Sequence, residues 1–192
     1  MKFESHIERV LQVTVCLVNR LTPGHSGGRE VFPVATSNLV PTVTQCLGVS
    51  VQFACTEADA AQLLQYAQSS RIVIQSIEAG DLESAAVTVN RLLRETGARP
   101  QLDQHGSGWN LHFHGQDDSV GIGWAAGGAA ALALIVGSDR AERLGVCVAP
   151  VCDRVYLDMS KNGSRTFCSK ACQSRVKAAA HRRRLKTPPA TL

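Results

Sequence analysis

CVAPVCDRVYLDMSKNGSRTFCSKAC, residues 147–172, holds four of the chain's seven cysteines, at Cys147, Cys152, Cys168 and Cys172. Two close pairs separated by fifteen residues suit one tetrahedral ion, because each pair can grip the metal from a tight turn. Between them, residues 154–158 and 164–167 are expected to pair as a hairpin across Asn162-Gly163, a strong hairpin signal. The second pair then opens a helix. This order of knuckle, hairpin and helix predicts a treble-clef-like zinc finger around one structural Zn²⁺ with no open position. A disulfide pair or buried thiols is the alternative; the segment is too small to build its own apolar core, which favours metal. Cys16, Cys46 and Cys55 have no such spacing and are read as buried core thiols.

The charge distribution continues the argument. The net charge of +4 conceals an asymmetry: residues 1–142 carry 9 Lys+Arg against 14 Asp+Glu, whereas residues 143–192 carry 11 against 2. Four thiolates on one Zn²⁺ lower the C-terminal balance from +9 to +7, which remains the footprint of a polyanion partner. On a helical projection Lys170, Gln173, Ser174, Lys177, His181 and Arg184 share one arc, and Cys172, Val176, Ala179 and Arg183 lie opposite. Arg175 and Arg182 border the two. Such a helix fits a major groove: Lys161, Arg165, Lys170, Arg175, Lys177, Arg182, Arg183 and Arg184 are expected to meet phosphates, with Gln173, Lys177 or His181 near base edges. DNA is the expected partner; RNA, or an acidic protein docked on the basic helix, is the alternative.

At 192 residues, 44% hydrophobic and 19% charged, the chain reads as folded rather than disordered. The expected fold class is α+β: a mostly helical domain over residues 1–142 with a small β-hairpin, a metal module over 143–186 and a frayed tail over 187–192. Residues 5–21 and 57–79 and 82–96 have helical periodicity, the last two forming an antiparallel pair about Gly80-Asp81. Residues 22–29 read as a loop, and residues 30–56, interrupted by Pro33 and Pro41, as either short strands or a short helix. Trp109–His114 alternates like a strand and is expected to pair with Val120–Trp124, ahead of an Ala/Gly-rich helix over 124–137. Ser119–Val136 runs 18 residues without a charge, but Gly and Ala contribute little to membrane insertion, so a core helix is expected. No signal-peptide pattern opens the sequence, so an intracellular, cytoplasmic setting with no membrane partner is expected.

The C-terminal residues resemble the CGNR zinc-finger family. The resemblance rests on Tyr156-Leu-Asp158-Met-Ser160, Asn162-Gly-Ser-Arg165, Phe167-Cys-Ser169 and Cys172-Gln-Ser-Arg175; in the last, Gln173 and Ser174 stand where the family has Gly and Asn. In that family the finger commonly follows an ABATE domain, and Leu17-Val-Asn19 and Asn90-Arg-Leu-Leu93 are similar in outline. The resemblance implies a bacterial, stress-responsive, nucleoid-associated transcription regulator. Its N-terminal domain would sense a small-molecule effector or mediate assembly, for example into a homodimer.

Catalysis is not expected. His112-x-His114 with Asp117-Asp118 could bind a metal or exchange protons, but no third ligand is spaced to join them, and a strand with one polar face is the simpler reading. His25 among Gly24, Gly27 and Gly28 could cradle an anion but matches no phosphate-loop spacing.

Overall fold

The computed structural model describes residues 3–48, 55–106, 108–117 and 119–186. The expected tail at 187–192 lies outside them. The fold is α+β, with helices carrying most of the chain and three two-stranded antiparallel sheets among the described residues.

Helix α1 (Phe3–Leu21) buries Val10, Leu11, Val13, Leu17, Val18 and Leu21 along one stripe. Helix α3 (Glu57–Glu78) opens with a reciprocal cap. Thr56 Oγ1 accepts from the Asp59 N–H, and Asp59 accepts from the Thr56 N–H. It packs against α1, against α4 (Leu82–Thr96), which Asp81 caps and Gly97 ends, and against α5 (Val120–Val136).

The small residues of α5 have a packing cause. A Cβ on Gly128 would lie 2.0 Å from the Tyr66 hydroxyl, and one on Gly121 would lie 2.8 Å from the Asp59 backbone. Glycine lets α5 approach α3 closely enough for the Gly121 N–H to donate to Asp59 Oδ1 at 2.7 Å. Among the described residues no helix is long and apolar enough to cross a membrane.

Several sequence expectations change here. The loop expected at 22–29 is a tight hairpin, β1 (Gly24–Ser26) with β2 (Arg29–Val31), turning through Gly27 and Gly28 at positive φ. Within the undecided stretch 30–56, residues 36–47 form α2 (Thr36–Leu47), which continues through Pro41 and ends at Gly48 in the left-handed region; residues 49–54 lie outside those described. Strand β4 (Gly108–His114) pairs with β3 (Arg99–His105), not with Val120–Trp124. Ser119 accepts from the Ile122 N–H and so starts α5 at Val120. Within the strand-like alternation Val-Gly-Ile-Gly-Trp, Gly121 is needed for helix packing, whereas a Cβ on Gly123 would meet open space.

Cys16 and Cys46 are not thiols: they form a disulfide between α1 and α2, with Cα atoms 5.5 Å apart where the helices meet. Cys55 is free and half-buried.

Beyond a single 3-10 turn at Ala141–Arg143, β5 (Leu144–Val146) pairs with β6 (Val155–Leu157). The hairpin expected between 154–158 and 164–167 is thus replaced by pairing with an upstream strand. Leu144, Val155 and Leu157 are buried in the same core as α1 and α3, so that core runs through the expected division near residue 143.

Candidate metal centre and nucleic-acid interface

The β5–β6 turn carries the first cysteine pair. The Cys147 N–H donates to the Arg154 carbonyl at 2.9 Å, extending the ladder by one rung, and Cys152 sits on the returning arm. Between them Val151 adopts φ 53°, a left-handed conformation costly for a β-branched residue. The Gly28 N–H of the β1–β2 turn donates to the Val151 carbonyl at 2.9 Å and braces it.

The second pair is set by α6 (Lys170–Lys186). Ser169 accepts from the Cys172 N–H at 3.2 Å, which places Cys172 in the first helical turn below Cys168. Cys152, Cys168 and Cys172 sulfurs stand 3.7–3.8 Å apart, and all four sulfurs lie within 4.8 Å of one another. A tetrahedral ion with Zn–S bonds of ~2.3 Å has sulfur–sulfur edges of ~3.8 Å, whereas a disulfide would need ~2.05 Å. The donor set therefore fits one zinc ion. Cys147 and Cys172 are buried and the other two half-buried.

Burial pushes the Cys147 thiol up, and burial with its sulfur neighbours pushes Cys168 up further. Burial also opposes ionisation of Cys172, but hydrogen bonds from Ser169 and the neighbouring thiols outweigh it and bring that group down to about 7. With four protein ligands, the ion would have no open position and a structural role.

The loop from Leu157 to Cys168 is held without a strand ladder. Asp158, 4% exposed, accepts from the Ser160 N–H at 2.8 Å and the Arg165 N–H at 2.8 Å. The Arg165 guanidinium donates to the carbonyls of Leu157, Phe167 and Cys168 and lies over the Tyr156 ring. Arg143 donates to the Ser160 carbonyl, and Arg175 to the Pro150 carbonyl at 2.8 Å. Arg165 and Arg175, expected at phosphates, are thus engaged in shaping the loop and the knuckle. Their conformations satisfy carbonyls that a ladder would otherwise pair.

The cysteine-rich segment is fastened to the helical body through buried polar bonds. Asn19 Nδ2 donates to the Val155 carbonyl and its Oδ1 accepts from the Val155 N–H, at 2.8 and 2.7 Å. Arg154, 3% exposed, donates to the carbonyls of Asn19, Thr22 and Pro23, capping the C-terminal end of α1. Asp153 pairs with Arg154 and Arg71 and accepts from the His25 N–H. Sequence reading missed this anchor; the Asp153-Arg154 pair directly after a ligand was its only local sign.

Helix α6 turns Cys172, Arg175, Val176 and Ala179 towards the rest of the chain, and these are its buried or half-buried positions. Lys170, Gln173, Lys177, His181, Arg182, Arg183 and Arg184 are exposed, as is Lys161 on the preceding loop. From Ala180 to Leu185 every residue is exposed, so the end of the helix stands clear of the body.

The other candidates separate from this centre. His114 pairs with Asp103 at 2.6 Å, while His112 stacks on His6 with centroids 4.5 Å apart. Among the described residues, no other group of three His, Cys, Asp or Glu side chains converges as metal ligands do. The His25 loop braces the knuckle.

No curated protein matches the chain. Residues 143–185 match the family model of the CGNR zinc finger. The four sulfurs converge inside that match with the spacing zinc requires, so residues 143–185 are similar to the CGNR zinc finger in sequence and hold a cysteine cluster that fits its metal.

Proposed function

We propose that the chain is a zinc-dependent, DNA-binding transcription regulator whose residues 1–142 sense a small ligand or mediate assembly into a homodimer. The observation that carries this reading is the exposed basic end of α6, held at its other end by Cys172 and presenting no acidic side chain. Zinc fixes the start of the helix, and the anchor at Asn19 and Arg154 fixes the finger on the body. The exposed helix then enters a major groove. Lys161, Lys170, Lys177, Arg182, Arg183 and Arg184 contact phosphates, with Gln173 and His181 near base edges. Arg165 and Arg175 support that surface from within.

Six phosphate contacts correspond to a slope of about −5 in log affinity against log salt. Fluorescence anisotropy with duplex DNA at stepped salt, on zinc-loaded protein, tests this; a chelator that strips the zinc should abolish binding. Enrichment of a few sites from fragmented genomic DNA would identify an operator. Zinc-loaded protein that ignores DNA at low salt, or binds with no salt dependence, would overturn the reading in favour of an acidic protein partner.

A further inference from the structure

The end of α1, strand β2 and the start of α2 border a shallow cleft, open to solvent, of about 560 Å³, a volume within the ~300–1,000 Å³ usual for small-molecule sites. Its lining divides by chemistry. Val31, Pro33 and Val34 present apolar surface; Arg20, Asn38 and Thr42 are polar, and Asn19 borders the cleft with its amide bonded to Val155. Arg20 is the one charged residue in the lining, and among the described residues no hydrogen bond or ion pair engages its guanidinium. No carboxylate faces it within the cleft. Helix α2 begins here with Ala35 at its cap and no side chain bonded to its first turn, so its leading N–H groups add positive potential. A cation and a helix start beside an apolar surface recognise one kind of molecule: a small anion with a hydrocarbon body.

We propose that this cleft binds a small organic carboxylate, with Arg20 as the counter-charge and Val31, Pro33 and Val34 against the apolar part. The inference rests on the ligand-sensing part of the function proposed above and gives it a place. Asn19, in the lining, is the residue whose amide holds both backbone groups of Val155. Strand β2 continues from the turn whose Gly28 braces Val151. An occupant is therefore one side chain away from the strand that follows Cys152.

The test uses full-length, zinc-loaded protein and no DNA, so its failure and a failure of DNA binding are separate results. Amide and Arg Nε spectra are recorded while sodium benzoate is added, and again with benzamide, its neutral isostere. Benzoate should shift Arg20, Asn38 and the Val155 amide saturably in the millimolar range, and benzamide should bind at least tenfold more weakly. Arg20→Gln should remove that preference and Arg20→Lys should retain it, with zinc content unchanged in both. Equal responses to the two compounds, no response to either, or an undiminished preference in Arg20→Gln would each overturn the assignment. So would loss of the preference in a zinc-loaded Arg20→Lys.

Discussion

Replacing Arg154 by Met should loosen the finger from the helical body without removing its metal. The guanidinium is 3% exposed and donates to three main-chain carbonyls at 2.7–3.0 Å while pairing with Asp153 at 2.7 Å. Methionine keeps the apolar stem but leaves the carbonyls of Asn19, Thr22 and Pro23 facing a dry wall. Removing one partner of a buried ion pair costs ~3–5 kcal/mol. Asp153 keeps Arg71 at 2.9 Å and the His25 N–H at 3.0 Å, so it is not left alone, and the loss should fall near the lower limit, about 3 kcal/mol. For a chain of this size that lowers Tm by roughly 6–12 °C. Urea unfolding followed by circular dichroism, with zinc assayed on the same samples, measures it. Arg71→Met, which removes a partly exposed pair with Asp153 and one hydrogen bond to Thr22 Oγ1, should cost less, about 1–2 kcal/mol. A loss below 1 kcal/mol for Arg154→Met, or a loss of zinc from the folded variant, would refute the anchor.

Three further outcomes follow from the same geometry. The Cys16–Cys46 bridge spans 30 residues, so the double variant Cys16→Ser/Cys46→Ser should lose up to about 3.6 kcal/mol by the loop-entropy relation, read in the same urea assay; alkylation of either cysteine in the native, unreduced protein would contradict the bridge. Gly128→Ala should cost about 1–3 kcal/mol, because its methyl group meets the buried Tyr66 hydroxyl that bonds Thr14 at 2.8 Å; Tyr66→Phe in the same background should recover part of the loss. Burial raises the Asp59 pKa, but bonds from Thr56 and the Gly121 N–H outweigh it and hold the carboxyl below its usual range. Its folded pKa is depressed, so its contribution is present above the unfolded value near 4 and disappears as pH falls through the folded one. The stability gap between the parent and Asp59→Asn should therefore be constant at neutral pH and close in acid; a gap that widens below pH ~4 would reverse the assignment.

What the sequence made legible was local chemistry. The cysteine spacing named its ligands, Gly80-Asp81 and Gly97 marked helix ends, and the periodicity of α1, α3 and α4 matched their buried stripes. Partner choice was not legible. β4 pairs with residues upstream and β6 with β5, because strand alternation says which face is apolar and not which strand lies alongside. Asn162-Gly163 promised a hairpin, yet Asp158 and Arg165 satisfy that loop through side chains instead. The Cys16–Cys46 bridge joins two helices through cysteines 30 residues apart with no motif at either end, so nothing short of the tertiary packing could reveal it.

The burial of Leu144, Val155 and Leu157 beneath the knuckle means that this finger is not a portable cassette. Cut out at residue 143 and grafted elsewhere, it would keep its four sulfurs but expose the underside of its own strands and strand Arg154 without the α1 carbonyls it serves. To be seated as it is here, the graft would need a receiving helix that offers, as α1 does, an asparagine and free carbonyls at its end. The end of α1 thereby holds the strand that follows Cys152, so a substitution at Asn19 acts on the knuckle from outside the finger's own sequence.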